Sequence, residues 1–250
     1  PASPTVPAGQ ISPNTLDFLR QLCEPENNDR EWFAAHDPVY RYAWKNFCDF
    51  SEALLNDIME QVDDTVPWLP VKDLTYRIYR DIRFSNDKTP YKTNFMSTFS
   101  RGGRKGPFAG YHVMVAPSRS FFAAGRWQPE KADLSVIRRH ILDGTDEAKE
   151  LKRVISSPSF KKIFGPPERD GLGRGKRCNL WGGGDDLKVA PKIEGVDKNH
   201  KDIELLKLRS FCVICHFDDK EVLKASFRQR LIEIALVARP LVHVSVPSDQ

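Results

Sequence analysis

The sequence predicts an α+β fold: a single domain with a central antiparallel sheet flanked by N-terminal and C-terminal helices. Three patterns predict it. Apolar residues recur three or four apart as far as Val62, which is the period of a helix. Between Leu74 and Trp127 they alternate in short runs separated by Gly and Pro, which is the period of strands joined by turns. Helical spacing then returns and closes the chain. Helices, then strands, then helices is the order of an α+β fold, whereas a parallel sheet would alternate the two.

The first stretch carries Pro1, Pro4, Pro7 and Pro13, a composition that reads as a flexible linker over 1–13, with the domain at 14–250. Ser12 before Pro13 is a helix-start signal. Leu16, Phe18, Leu19 and Leu22 supply an apolar stripe that ends at Pro25. Asn28 and Glu31 have the spacing of a capping box before Trp32 and Phe33. A longer helix is expected from Asp37 to Val62 on Tyr40, Trp44, Phe47, Leu54 and Ile58. Leu74, Tyr76, Ile78, Ile82 and Phe84 then alternate as one strand, followed by strands at Phe95–Phe99, Tyr111–Ala116 and Ser120–Trp127. Helices follow at Lys131–Leu142 and Asp146–Ile155. Seven glycines fall within 165–184, an irregular loop. Phe211–Phe217 reads as one more strand. Asp218 and Glu221 form a second capping box, and Leu223, Phe227, Leu231 and Ile234 mark a closing amphipathic helix.

With 250 residues the chain is long enough to bury a substantial core. Its composition is that of a globular protein, which excludes collagen-like and coiled-coil architectures. No run approaches the roughly 18 apolar residues of a membrane-crossing helix, so no membrane partner is expected. Five cysteines, an odd number, fit reduced thiols and an intracellular site, cytoplasm or nucleus, better than a disulfide scaffold.

Charge singles out one region. The whole chain is +4, yet the 34 residues from Lys72 to Lys105 hold nine basic and three acidic side chains. A local cluster of this kind binds anions that the chain average conceals. If the strand through Leu74–Phe84 is continuous, Arg77, Tyr79, Asp81 and Arg83 share its polar face and Arg80 falls on the apolar one. A buried guanidinium requires a carboxylate. Asp81 lies on the wrong face to supply it, so Glu31 or another helix acid is the expected partner.

The run Arg80-Asp81-Ile82-Arg83-Phe84-Ser85-Asn86-Asp87-Lys88-Thr89-Pro90-Tyr91-Lys92 closely resembles the signature of a family of fungal and bacterial proteins, domain-of-unknown-function family 2461. Asn27–Phe33 resembles its N-terminal element. Gly110-Tyr111-His112 with Gly125–Pro129 resembles its sheet. Asp186–Pro191 with His200 and Glu204-Leu205-Leu206 resembles a later element. The resemblance covers most of the chain and carries no activity with it. The glycine-heavy Gly171–Gly184 segment departs from it.

Other motifs weigh less. Cys212-x-x-Cys215-His216 spells a haem-attachment string, but strand alternation puts the two cysteines on opposite faces of an apolar strand. The histidines show no metal-binding spacing, and no phosphate loop, nucleophile elbow or dinucleotide fingerprint occurs. No metal and no cofactor are therefore expected. The leading expectation is a cationic polar pocket for a phosphate- or carboxylate-bearing small molecule. Arg77, Tyr79, Arg80, Arg83, Lys88, Tyr91 and Lys92 would bind it. Catalysis, if the pocket supports any, falls to Asp81, Asp87 and His112. Two alternatives remain open: a nucleic-acid surface built from the same basic residues, and an internal Arg–Asp network in a protein-interaction domain.

Overall fold

The computed structural model describes residues 6–167, 179–194 and 196–244. The proline-rich residues 1–5, and Arg169, Arg174, Lys176 and Arg177 of the glycine-rich stretch, lie outside the described residues. The architecture is α+β: a four-stranded antiparallel sheet of order β1-β2-β3-β4, with helices before it, between β3 and β4, and after it in the chain. The strands are β1 (Phe95–Ser100), β2 (Gly110–Val115), β3 (Ser120–Arg126) and β4 (Phe211–Phe217). The Phe121 ring lies 6.0 Å from His216, while Gly125 sits against the Phe211 carbonyl. β3 and β4 therefore run in opposite directions.

The chain divides into two compact units. Among the described residues, the first comprises those up to Gly106, His112–Phe122 and His216–Glu233; the second comprises Pro107–Tyr111, those within 123–215 and those from Ile234 onward. In the first unit α1 (Pro13–Gln21) opens with Ser12 as N-cap, its hydroxyl accepting from the Asn14 N–H, and Pro13 in the first turn. Order begins before this helix. Ile11 and Ser12 are buried, and Asn46 bonds both the Ser12 N–H and the Gln10 carbonyl. Ile11 is thus packed although it falls within the stretch expected as linker.

The helix α2 (Arg30–Ala35) is capped by Asp29, whose carboxylate accepts from the Glu31 and Trp32 N–H groups. The capping residue is therefore Asp29 and not Asn28; Asn28 is turned inward. The long α3 (Asp37–Gln61) buries Phe47, Leu54 and Ile58 of the expected stripe, with Phe50 beside them, while Tyr40 and Trp44 are half-buried. Phe95 of β1 lies 5.4 Å from Phe47 and 5.2 Å from Trp44, ring to ring. After α4 (Val71–Leu74) the chain is extended.

In the second unit lie α5 (Lys131–Asp143), α6 (Asp146–Ser156), α7 (Pro158–Phe164), a 3-10 turn at Asn179–Gly183 and α8 (Ile203–Lys207). Gly144 ends α5 in the left-handed conformation, a common helix terminator. The Asn179 amide donates to the Ile155 and Gly165 carbonyls, at 3.0 and 2.9 Å. Leu180 and Trp181 are buried beside it in the sequence. The predicted closing helix is two helices, α9 (Asp219–Val222), with the full Asp218/Glu221 capping box, and α10 (Phe227–Val244). Among the described residues no helix is long and apolar enough to cross a membrane.

Candidate functional site

The basic segment does not form the continuous strand that alternation predicts. Leu74 ends α4, and beyond it only two isolated bridges form, Thr75 with Ser97 and Tyr79 with Tyr91. Backbone hydrogen bonds run from Arg80 N–H to the Pro90 carbonyl, Lys92 N–H to Ile78 and Tyr76 N–H to Met96. Four positions separate the bridged residues on one side and six on the other. The second side therefore carries two extra residues, and the chain bends at Thr93 and Asn94. Insertions of this kind break a ladder and re-aim side chains.

Between the paired segments the chain loops out through Asp81–Lys88, and Arg80 braces the loop's root. Its guanidinium pairs with the Asp87 carboxylate and the Thr89 hydroxyl, and reaches the Thr89 carbonyl at 3.2 Å. The partner expected from a distant helix is therefore Asp87, seven residues on. The reason is that the strand breaks. Arg80 does not enter an apolar core, and its side chain stays 26% exposed. Asp87 also accepts from the Thr89 N–H (2.9 Å) and hydroxyl (2.7 Å). Those bonds, with Arg80 behind them, hold its carboxyl well below the usual range, at about 2. Asp81 is likewise lowered, by its bonds to Arg83 at 2.7 and 2.9 Å. Both carboxylates stay ionised near neutral pH and accept these hydrogen bonds. At the loop tip Phe84 is 94% exposed, with the Arg83 guanidinium 5.7 Å from its ring centre.

A cleft of about 340 Å³ opens beside the root of this loop. Leu22, Cys23 and Pro25 form one part of its wall. Asn28, Arg80, Asp87 and Thr89, the segment Tyr91–Asn94, and Arg119 form the rest. Arg119 reaches in from the β2–β3 turn, where its guanidinium bonds the Thr93 hydroxyl. Asn28 is 7% exposed and clamps Tyr91 from both sides, accepting from its N–H (3.1 Å) and donating to its carbonyl (3.2 Å). The Tyr91 ring stacks on Phe33 at 3.9 Å and is core. The side-chain carbonyl oxygen of Asn94 is buried with no hydrogen-bond partner among the described residues.

Of the residues singled out from sequence, Arg80, Asp87, Tyr91 and Lys92 line this cleft. Arg77, Tyr79, Asp81, Arg83, Lys88 and His112 do not. Lys88 donates to the Ile82 carbonyl inside the loop. The Lys92 ammonium donates to the Arg77 carbonyl and stands over the Tyr76 ring. Burial, and the nearby Arg77 and Arg104, lower its pKa. Sequence reasoning missed Arg119, Thr93 and Asn94. Arg119 is far along the chain, and the two-residue insertion leaves no mark in the alternation pattern.

His112 sits on β2 with its Nδ1 2.8 Å from the Thr98 hydroxyl on β1. Burial pushes its pKa down from 6.5 to about 4. The polar neighbours are Tyr76 and Thr98; Lys92 and Arg104 lie over the Tyr76 ring, and His216 lies beyond Phe121. A histidine depressed in the fold contributes stability that is complete above about pH 6.5 and is lost as pH falls towards 4. Urea midpoints should accordingly drop across that window in the wild type, and less so in His112→Gln.

Among the described residues no group of three or more His, Cys, Asp or Glu side chains is placed to hold a metal ion. Compared with known proteins, residues 14–244 match a family model described as a conserved hypothetical protein, DUF2461. No curated protein and no solved structure matches the chain.

Proposed function

The chain belongs to the DUF2461 family of conserved hypothetical proteins, and from that premise we propose that it binds a small carboxylate- or phosphate-bearing molecule in the cleft at Arg80. One observation carries the reading. Arg80 and Arg119 line the cleft against Asp87, the one carboxylate among its described lining residues, leaving it with excess positive charge. Arg80 and Arg119 are already tied to Thr89 and Thr93, so less side-chain freedom is lost when an anion arrives. Guanidinium groups also match the two-oxygen geometry of carboxylate and phosphate.

Calorimetric titration with inorganic phosphate and with short dicarboxylates tests this. A charge-assisted contact contributes roughly 1.5–3 kcal/mol, so Arg119→Ala should weaken binding about ten-fold or more with little change in stability. Absence of binding by the wild type, or an unchanged affinity in Arg119→Ala, removes the basis for the proposal.

A second reading rests on Phe84. A fully exposed aromatic beside Arg83, on a loop that also carries Lys88, offers a stacking face with cations next to it, the combination that holds single-stranded nucleic acid. Short RNA binding lost in Phe84→Ala, and falling steeply with salt, would favour that reading over the cleft.

A further inference from the structure

The basic side chains that line the cleft differ in what already holds them. The Arg80 guanidinium is engaged: it pairs with Asp87, bonds the Thr89 hydroxyl and carbonyl, and lies 3.5 Å from the Ser85 hydroxyl. Asp87 in turn accepts from the Thr89 N–H and hydroxyl, bonds that favour its charged form. The Arg80–Asp87 pair therefore adds no net charge. The Lys92 ammonium donates to the Arg77 carbonyl at 2.9 Å, and Arg77 does not line the cleft.

Arg119 differs from both. It is exposed, its guanidinium donates to the Thr93 hydroxyl, and among the described residues it pairs with no acid. A guanidinium has five N–H donors, so one hydroxyl leaves most of them for a ligand. Asp219, the acid that bonds this turn, is taken up by the Ser118 N–H at 2.7 Å and by Arg20 at 3.1 Å. No further cation lines the cleft among the described residues. Arg119 is thus its one uncompensated charge.

Resting on the reading that this cleft binds an anion, we infer that it selects a single negative charge: its ligand is a monocarboxylate whose two oxygens face Arg119, and a molecule with two negative charges is held less tightly. The guanidinium fork matches the two oxygens of one carboxylate. A second acid group finds no open cation. Within a cleft of about 340 Å³ it meets the Asp87 carboxylate instead, and like charges brought together oppose binding. A phosphate monoester, close to a dianion near neutral pH, is disfavoured for the same reason.

Calorimetric titration with butyrate, succinate and methyl phosphate at about pH 7.5 tests this, a pH at which carboxyl groups are ionised and the monoester is mainly a dianion. Succinate has the carbon count of butyrate and one more carboxylate. Butyrate should bind roughly three- to ten-fold more tightly than either dianion, the size of one like-charge encounter in a partly solvated cleft. Asp87→Asn keeps an acceptor for the Thr89 N–H but removes the charge and releases Arg80. In that variant succinate and methyl phosphate should gain about ten-fold, one charge-assisted contact, and overtake butyrate. Equal or tighter binding of either dianion by the wild type overturns the inference and leaves the anion cleft standing. Binding of none of the three removes the cleft reading and the inference with it. An unchanged order of affinities in a folded Asp87→Asn also overturns the inference. The wild-type comparison decides by itself if that variant does not fold.

Discussion

Replacing Gly125 by alanine should destabilise the fold by roughly 3–5 kcal/mol, the sum of a forbidden backbone conformation and an overpacked contact. Gly125 lies near the end of β3 at φ +116°, a region that side chains other than hydrogen rarely allow. A Cβ there would sit 2.8 Å from Cys212 Cα and closer still to the Phe211 carbonyl oxygen. Both obstacles are backbone of β4, so neither can rotate away. Relief requires parting the two strands, and that breaks the hydrogen bonds between them. Gly144→Ala is the control. It also has a positive φ, +65°, but open space around the added Cβ, so its cost should stay near 1–2 kcal/mol. Urea unfolding of the two variants measures the difference, which combines the contact with β4 and the greater backbone strain at φ +116°. Equal midpoints would mean that the strands yield without resistance.

Asn28→Ala should cost about 3 kcal/mol and weaken anion binding at the same time. The amide makes three buried bonds, to the Leu22 carbonyl (3.0 Å) and to both backbone groups of Tyr91. Alanine would leave the Tyr91 N–H and the two carbonyls unpaired, and each buried orphan costs about 1–3 kcal/mol. Tyr91 and Asn28 both line the cleft, so freeing this backbone loosens the cleft wall beside Thr93 and Asn94. Asn28→Asp should fare no better, because a carboxylate keeps the bond from the Tyr91 N–H but offers no donor to the carbonyls. The neighbouring Asn27→Ala should change stability by less than about 0.5 kcal/mol, because its bonds to Gln21 are exposed. An Asn28→Ala variant with an unchanged urea midpoint would show that the clamp is dispensable.

The segment Arg80–Lys92 stands out in the sequence by charge density alone, and the cleft lies beside it. Its interior arrangement was not legible there. Strict alternation from Leu74 to Phe84 argued for a strand, and on that basis Arg80 belonged on an apolar face with a distant acid. Two extra residues at Thr93 and Asn94 interrupt the pairing, so Arg80 closes a local loop with Asp87 instead. Alternation registers which residues are apolar; it does not register how many residues the opposite strand uses to span the same distance. Asn28 shows the same limit. The spacing to Glu31 suited a cap, yet Asp29 takes that role and leaves the Asn28 amide to hold Tyr91, 63 positions away.

Local chemistry determined most of the helices and the four strands of the sheet. Ser12-Pro13 and the Asp218/Glu221 box act within a turn of their own position, and the apolar periods of α3, α6 and β1–β4 follow from which face must leave water. Those forces act between near neighbours and are written in consecutive residues. The tertiary structure alone decided which side chains meet: Arg119 with Thr93, Asn28 with Tyr91, and His112 with Thr98 and Tyr76. Each of these contacts joins separate segments, and each depends on strand register and on the length of the intervening bulge. These are set by packing across the whole unit, where one residue more or less turns a side chain to the opposite face.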